Sequence, residues 1–390
     1  MRTFFMNRKI IWLVALIFIS SSLYAQRNPK GVISPLVQPD NSVIFRVKVP
    51  GATAVAVFGS WPTEFHNRIE MTKKDSGIFE AKVGPLPSDM YEYEFSVDSV
   101  SFLDPGNIAV TRDGSYIMNQ LMVPGKTADL YDVKPVPHGR VTAVWYPSPV
   151  IGSERRMQIY TPPGYDQSKK NYPVLYLLHG AGGDEECWIS RGRANYILDN
   201  LMAAGKAVPM IVVITNGNPS TVGAPLERSI ESKQLKTPTG PGALTSGKFE
   251  ESLIKDIIPY VEKNYRVIAD PAHRAITGFS MGGYHTEMIT NANPSKFDYI
   301  GVMSMGLFSG FNIKYNKDEH AKQLEALKKS NPKVYWIGIG KEDFLYPTVV
   351  KLRALYDEVG LKYSYRESAG RHDWNSWRLY FGEFTPLLFK

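Results

Sequence analysis

Cysteine is almost absent from this 390-residue chain, where Cys187 stands alone. One thiol cannot close an internal disulfide, so the fold must rest on packing and hydrogen bonds. A small buried apolar role suits Cys187 better than a reactive one. Long apolar runs are missing too. The unbroken run 10–19 has ten residues, whereas a membrane-crossing helix needs roughly 20. There is no block of Lys or Arg, and the formal net charge is only +7, so polyanion binding is not indicated. The seven histidines are scattered and lack carboxylate partners at ligand spacing, which leaves no metal site to expect.

What is present is ordinary globular material, 43% hydrophobic and 21% charged. That is enough apolar surface for a sizeable core and excludes global disorder. The first residues stand apart from it. Arg2, Arg8 and Lys9 precede the ten-residue apolar run, and Ser20-Ser21-Ser22-Leu23-Tyr24-Ala25 follows. This charged, apolar, small-residue order predicts a secretory signal peptide, 1–25, cut after Ala25. Its removal takes away three cations and no acid, so the formal +7 becomes +4. No lipid-anchor cysteine lies near the cut. The mature protein is therefore expected to be secreted or periplasmic, with no stable membrane anchor.

Residues 27–123 alternate apolar and polar positions at 42–49, 54–58, 78–83 and 91–97, separated by Gly/Pro/Asp turns. This spacing predicts an antiparallel β-sandwich. Residues 124–138 carry Pro, Gly and Lys and predict a linker. From 139 the pattern changes to near-continuous apolar strands at 173–178, 210–214, 275–277, 299–303 and 334–339, with helical stretches between them. Such alternation predicts a doubly wound α/β domain over 139–390. The stretch 217–248 interrupts it with Gly, Pro, Ser and Thr but no periodicity, and is expected to wall an acyl or sugar site.

Ala275-Ile276-Thr277 runs into Gly278-Phe279-Ser280-Met281-Gly282-Gly283 and then a helix. This is Gly-x-Ser-x-Gly in the setting of a nucleophile elbow, where a tight turn exposes the serine above the sheet edge. Serine needs a histidine base and an acid that holds the histidine's tautomer. In this arrangement the acid and then the base follow the serine in sequence. Of the later histidines, His285 lies five residues along the same helix and projects elsewhere. His320 sits in a polar run read as a solvated helix face. His372, in Gly370-Arg371-His372-Asp373-Trp374, remains as the base. Asp343 follows a strand end and is the candidate acid, with Glu342 the alternative and helix capping its structural role. After 173–178 comes His179-Gly180-Ala181-Gly182-Gly183. Its backbone can aim N–H groups at an oxyanion, so Ala181 and Met281 are the candidate donors. His179 itself reads as structural. Gly182, Trp188 and Trp374 are candidate substrate contacts, with core packing the alternative for the aromatics.

These motifs, together with Tyr160-Thr161-Pro162-Pro163-Gly164-Tyr165 and Lys341-Glu342-Asp343-Phe344, resemble the bacterial family 1 carbohydrate esterases. These are esterase D-like α/β-hydrolases that include feruloyl and acetylxylan esterases. The resemblance implies roles for Ser280, Asp343 and His372 as nucleophile, acid and base, and no cofactor. It implies action on feruloylated or acetylated xylan oligosaccharides, with siderophore esters as a further possibility. Residues 27–123 resemble early-set domains of the carbohydrate-binding module 48 kind through Phe58-Gly59-Ser60-Trp61 and Tyr91-Glu92-Tyr93. The resemblance implies either glycan binding by that domain or docking against the enzyme, with Trp61 either a sugar platform or core. The contrasting reading is a carbohydrate-binding protein whose hydrolase domain is inactive.

Overall fold

Strands Val43–Lys48 and Ile78–Val83 pair antiparallel, as do Val55–Gly59 and Asp89–Val97. Along Val43–Lys48 and Ile78–Val83 the inward positions are buried and the alternate ones more exposed, so there the period-two pattern is the pattern of burial. Val55–Gly59 and Asp89–Val97 are instead buried over consecutive positions. In the computed structural model, which describes residues 32–62, 64, 67–225, 245–307 and 315–390, these strands belong to two antiparallel sheets. The expected signal peptide lies outside the described residues. One compact unit comprises the described residues up to 87 together with 92–109 and 119–121. Phe45, Trp61 and Tyr93 form part of its core. Trp61 is fully buried and covers Gly59, where a Cβ would stand 1.9 Å from the indole. The candidate sugar platform is core.

The second unit comprises residues 88–91, 110–118 and the described residues from 122 to 390. Among its described residues is an eight-stranded sheet. Its strands are β1 (Arg140–Ser148), β2 (Ser153–Thr161), β3 (Val174–Leu178), β4 (Ile211–Thr215), β5 (Arg274–Phe279), β6 (Tyr299–Met303), β7 (Val334–Gly340) and β8 (Ser364–Ser368). They lie in the order β1-β2-β4-β3-β5-β6-β7-β8. The β1–β2 and β2–β4 pairs are antiparallel and the rest parallel.

Both faces of this sheet are covered, which is why its central strands read as unbroken apolar runs. Along β3, Val174, Tyr176 and Leu178 enter one core cluster, and Leu175 and Leu177 enter the other. The stretch expected to be a linker is packed. Residues Ala128–Leu130 form a 3-10 turn, and Tyr131 beside it is 1% exposed. The Tyr131 hydroxyl donates to Asp89 and accepts from the Met90 N–H at 3.0 Å. Its carbonyl accepts from Arg193 at 2.8 Å. Sequence composition suggested a tether because Pro and Gly serve tight packing as readily as freedom.

Candidate active site

Strand β5 ends at Phe279, and the helix Met281–Ala292 begins two residues later. Between them Ser280 sits at φ 52°, ψ −120°, a strained conformation for a side-chain-bearing residue. The turn holds because the residues two places to either side, Gly278 and Gly282, have no side chains. A Cβ on Gly278 would stand 2.6 Å from the backbone of Gly282, and one on Gly282 would stand 2.7 Å from the carbonyl oxygens of Leu178 and His179. The helix therefore starts pressed against the end of β3, and the serine is raised above the sheet edge.

The loops after β7 and β8 bring two further side chains there. His372 Nε2 lies 3.0 Å from Ser280 Oγ, and His372 Nδ1 lies 2.9 Å from Asp343 Oδ2. Asp343 is 2% exposed and also accepts the Leu345 N–H at 2.9 Å. With the carboxylate fixed in this way, Nδ1 carries the proton and Nε2 is free to accept one from the serine. Glu342 is exposed, and the carboxylate that meets His372 is that of Asp343. Phe344 stands beside the imidazole, 4.5 Å between ring centroids, and is 71% exposed.

Two other histidines lie elsewhere. His285 is fully buried against Phe249. His320 departs from the solvated face read for it. It is buried between Asn291 and Tyr315, and desolvation lowers its pKa. The helix Lys317–Ser330 turns His320, Leu324 and Leu327 inward while the residues around them stay polar.

His179 joins two loops. Its Nδ1–H donates to the Gly180 carbonyl at 2.7 Å, and its Nε2 accepts the Gly217 N–H at 2.8 Å. Ala181 and Gly182 beyond it are exposed. Met281 is the first helical residue, where N–H groups have no acceptor within the helix. Trp188 and Trp374 do not face a ligand. They are 0% and 3% exposed, with indole N–H groups engaged by the Leu178 carbonyl and Asp113. With Phe279 and Trp377 they form an aromatic layer beneath His372. Of the 217–248 stretch, residues 226–244 lie outside the described residues. Its start is pinned where the Ala224 N–H donates to Glu185 at 2.8 Å.

Sequence reasoning passed over residues 111–114. Arg112 reaches Asp184 and Glu186, both at 2.6 Å, and Asp113 receives Arg191 and Trp374. The signal was an Asp-Gly dipeptide of the kind that closes hairpins.

Residues 148–386, well over half the chain, match the family described as "Putative esterase". The chain belongs to this esterase family. Residues 33–113 match carbohydrate-binding module 48, the isoamylase N-terminal domain. A curated relative of the esterase is the endo-1,4-beta-xylanase/feruloyl esterase of Xylanibacter ruminicola. The two are 30% identical over 370 residues, covering 93% of this chain and 47% of the relative. The chain thus spans about half the length of that relative, and it covers 12% of the endo-1,4-beta-xylanase Y of Acetivibrio thermocellus. The solved CE1 ferulic acid esterase of the anaerobic fungus Anaeromyces mucronatus is 25% identical, with TM-score 0.55 over 67% of this chain and 95% of its own. The ferric enterobactin esterase of Salmonella typhimurium, 15% identical, shares the fold alone, with TM-score 0.60 over 91% of this chain and 96% of its own. The likeness to family 1 carbohydrate esterases behind a module-48-like domain is borne out, as is the α/β-hydrolase fold behind a β-sandwich.

Proposed function

We propose that the protein is an exported serine esterase that releases ferulate or a related hydroxycinnamate from xylan fragments. The observation that carries this reading is the bonded series Ser280–His372–Asp343 at an elbow serine. Ser280 Oγ attacks the ester carbonyl carbon while its proton passes to His372 Nε2. The carbonyl oxygen, now negative, is received by the N–H groups of Ala181 and Met281. Collapse breaks the bond to the sugar oxygen, which takes the proton from His372. Water then attacks the acyl-enzyme with the same base, freeing Ser280 and the acid.

The feruloyl choice leans on two names, those of the Xylanibacter ruminicola and Anaeromyces mucronatus proteins, and on Phe344 exposed beside the base. Xylan oligosaccharides carrying feruloyl or acetyl esters are the proposed substrates, and the module-48-like domain is proposed to bind the same glycans. Export rests on the leader sequence at 1–25.

Parallel assays on methyl ferulate, a feruloylated arabinoxylan oligosaccharide, acetylated xylan and 4-nitrophenyl acetate test the reading. The highest kcat/KM is expected on the feruloylated oligosaccharide. Preference for acetylated xylan would replace it with acetylxylan esterase activity. Inactivity on all four would replace it with a glycan-binding role.

A further inference from the structure

Residues 180–186 read Gly-Ala-Gly-Gly-Asp-Glu-Glu. Three carboxylates thus follow directly on a loop whose proposed task is to welcome negative charge. Left alone they would oppose an oxyanion, because charges in a poorly hydrated site act strongly at short range. Two arginines answer them. Arg156 bonds Glu185 and Glu186 at 2.8 and 2.6 Å. Arg112 takes Asp184 with both arms, at 2.6 and 2.9 Å, and Glu186 at 2.6 Å. A two-armed guanidinium pair fixes geometry as well as charge.

The contact continues on both sides of Arg112. Its backbone N–H and the Thr111 hydroxyl meet Ser190 Oγ at 2.8 and 3.3 Å. Asp113 Oδ2 accepts from Arg191 at 2.8 Å and from Trp374 at 3.0 Å. Gly114, at φ +57°, lies against Gly182 so closely that a Cβ would stand 1.9 Å from the Gly182 oxygen. Arg112 also donates to the Gly114 carbonyl at 2.7 Å, so the turn is tied to an arginine that pairs with the loop's carboxylates. All these residues belong to the second unit.

We propose that Arg112 and Gly114 are positioning residues for ester hydrolysis: the 112–114 turn holds the 180–183 loop in its oxyanion-binding shape while Arg112 offsets part of the charge of Asp184 and Glu186. This rests on the esterase reading of the site. Arg112 acts through the loop and touches no reacting atom.

The test uses the full chain carrying Arg112→Met, Arg112→Lys or Gly114→Ala, with folding checked by thermal melting. Two quantities are read: kcat and KM on 4-nitrophenyl acetate, and the calorimetric Kd of phenylboronic acid. That probe takes the serine oxygen and becomes a tetrahedral anion. In folded Arg112→Met and Gly114→Ala, kcat is expected to fall at least about tenfold, with Kd rising in step and KM within about twofold of the parent. Arg112→Lys, which keeps the charge but loses the fork, is expected to lie between the parent and Arg112→Met. If Arg112→Met does not fold, Arg112→Lys and Gly114→Ala decide. Parent-like kcat and Kd in the folded variants would overturn the proposal, even when only melting has shifted. A parent that binds the boronate but hydrolyses none of the esters defeats the esterase reading instead, and the Kd comparison still decides the role of the turn.

Discussion

Gly340 and Gly370 lie so close that a Cβ on Gly340 would stand 1.8 Å from the Gly370 carbonyl oxygen. Glu342 and Gly370 extend the contact through a backbone bond of 3.1 Å. Gly340 ends β7 three residues before Asp343, and Gly370 precedes His372 by two. The approach of two bare backbones therefore sets the spacing of Asp343 and His372, the proposed acid and base. Gly340→Ala should separate them and lower kcat about tenfold or more with little change in KM. Steady-state kinetics beside a melting curve checks this, and unchanged kcat would mean that the loops reach their places without the contact.

Asp343 and Glu342 are neighbours with opposite fates, one buried on His372 and the other exposed. Asp343→Asn should lower kcat by about a thousandfold or more, because the amide favours the wrong histidine tautomer. Glu342→Gln should stay near the parent rate. Ser280→Ala should be inactive in a folded protein. A reversed order between the two acid variants would transfer the role to Glu342.

Phe344 offers an exposed ring at the rim, beside His372. Phe344→Ala should raise KM for methyl ferulate about three- to tenfold, the scale of one aromatic contact, and leave methyl acetate unchanged. Equal effects on both esters would make Phe344 a support for His372 rather than a contact for the acyl group.

Burial pushes the Glu287 carboxyl up to about 8 from an ordinary 4.5, partly offset by the Tyr356 hydroxyl that donates to it. Burial likewise raises Glu250 to about 7. A carboxyl raised on folding holds its proton in the native state at pH values where the unfolded chain has released it. Its contribution to stability is full below about 4.5 and is lost as pH rises through the folded value. The melting temperature of the parent should therefore fall between pH 5 and pH 8 more steeply than that of Glu287→Gln. Parallel slopes would show that Glu287 does not titrate in that window.

Local chemistry made much of this protein readable. The elbow and strand β5 are consecutive in sequence, and β3 and β4 announced themselves because both their faces are buried. His372, which the structure sets beside Ser280, could be singled out because few histidines follow the serine. What stayed hidden depends on partners far along the chain. The Arg112–Asp184 pair spans 72 residues, and no periodic pattern links its members. Trp188 and Trp374 look the same in sequence whether they line a pocket or fill a core, and only packing against Phe279 distinguishes them. His320 is one inward position on a helix otherwise rich in charge.

The hydrolase unit is interleaved with the sequence ahead of it, because residues 88–91 and 110–118 belong to it. A gene fusion cut cleanly at residue 139 would leave Asp184 without its arginine, the Trp374 indole without its carboxylate, and Arg378 without the Met90 carbonyl that it bonds at 2.7 Å. Exchanging the front portion between relatives thus exchanges part of the hydrolase as well. Positions 112 and 113 meet 184, 186 and 191 directly, so a chimaera that mixes two lineages across this seam is expected to regain stability when those pairs are restored together, which a melting curve checks.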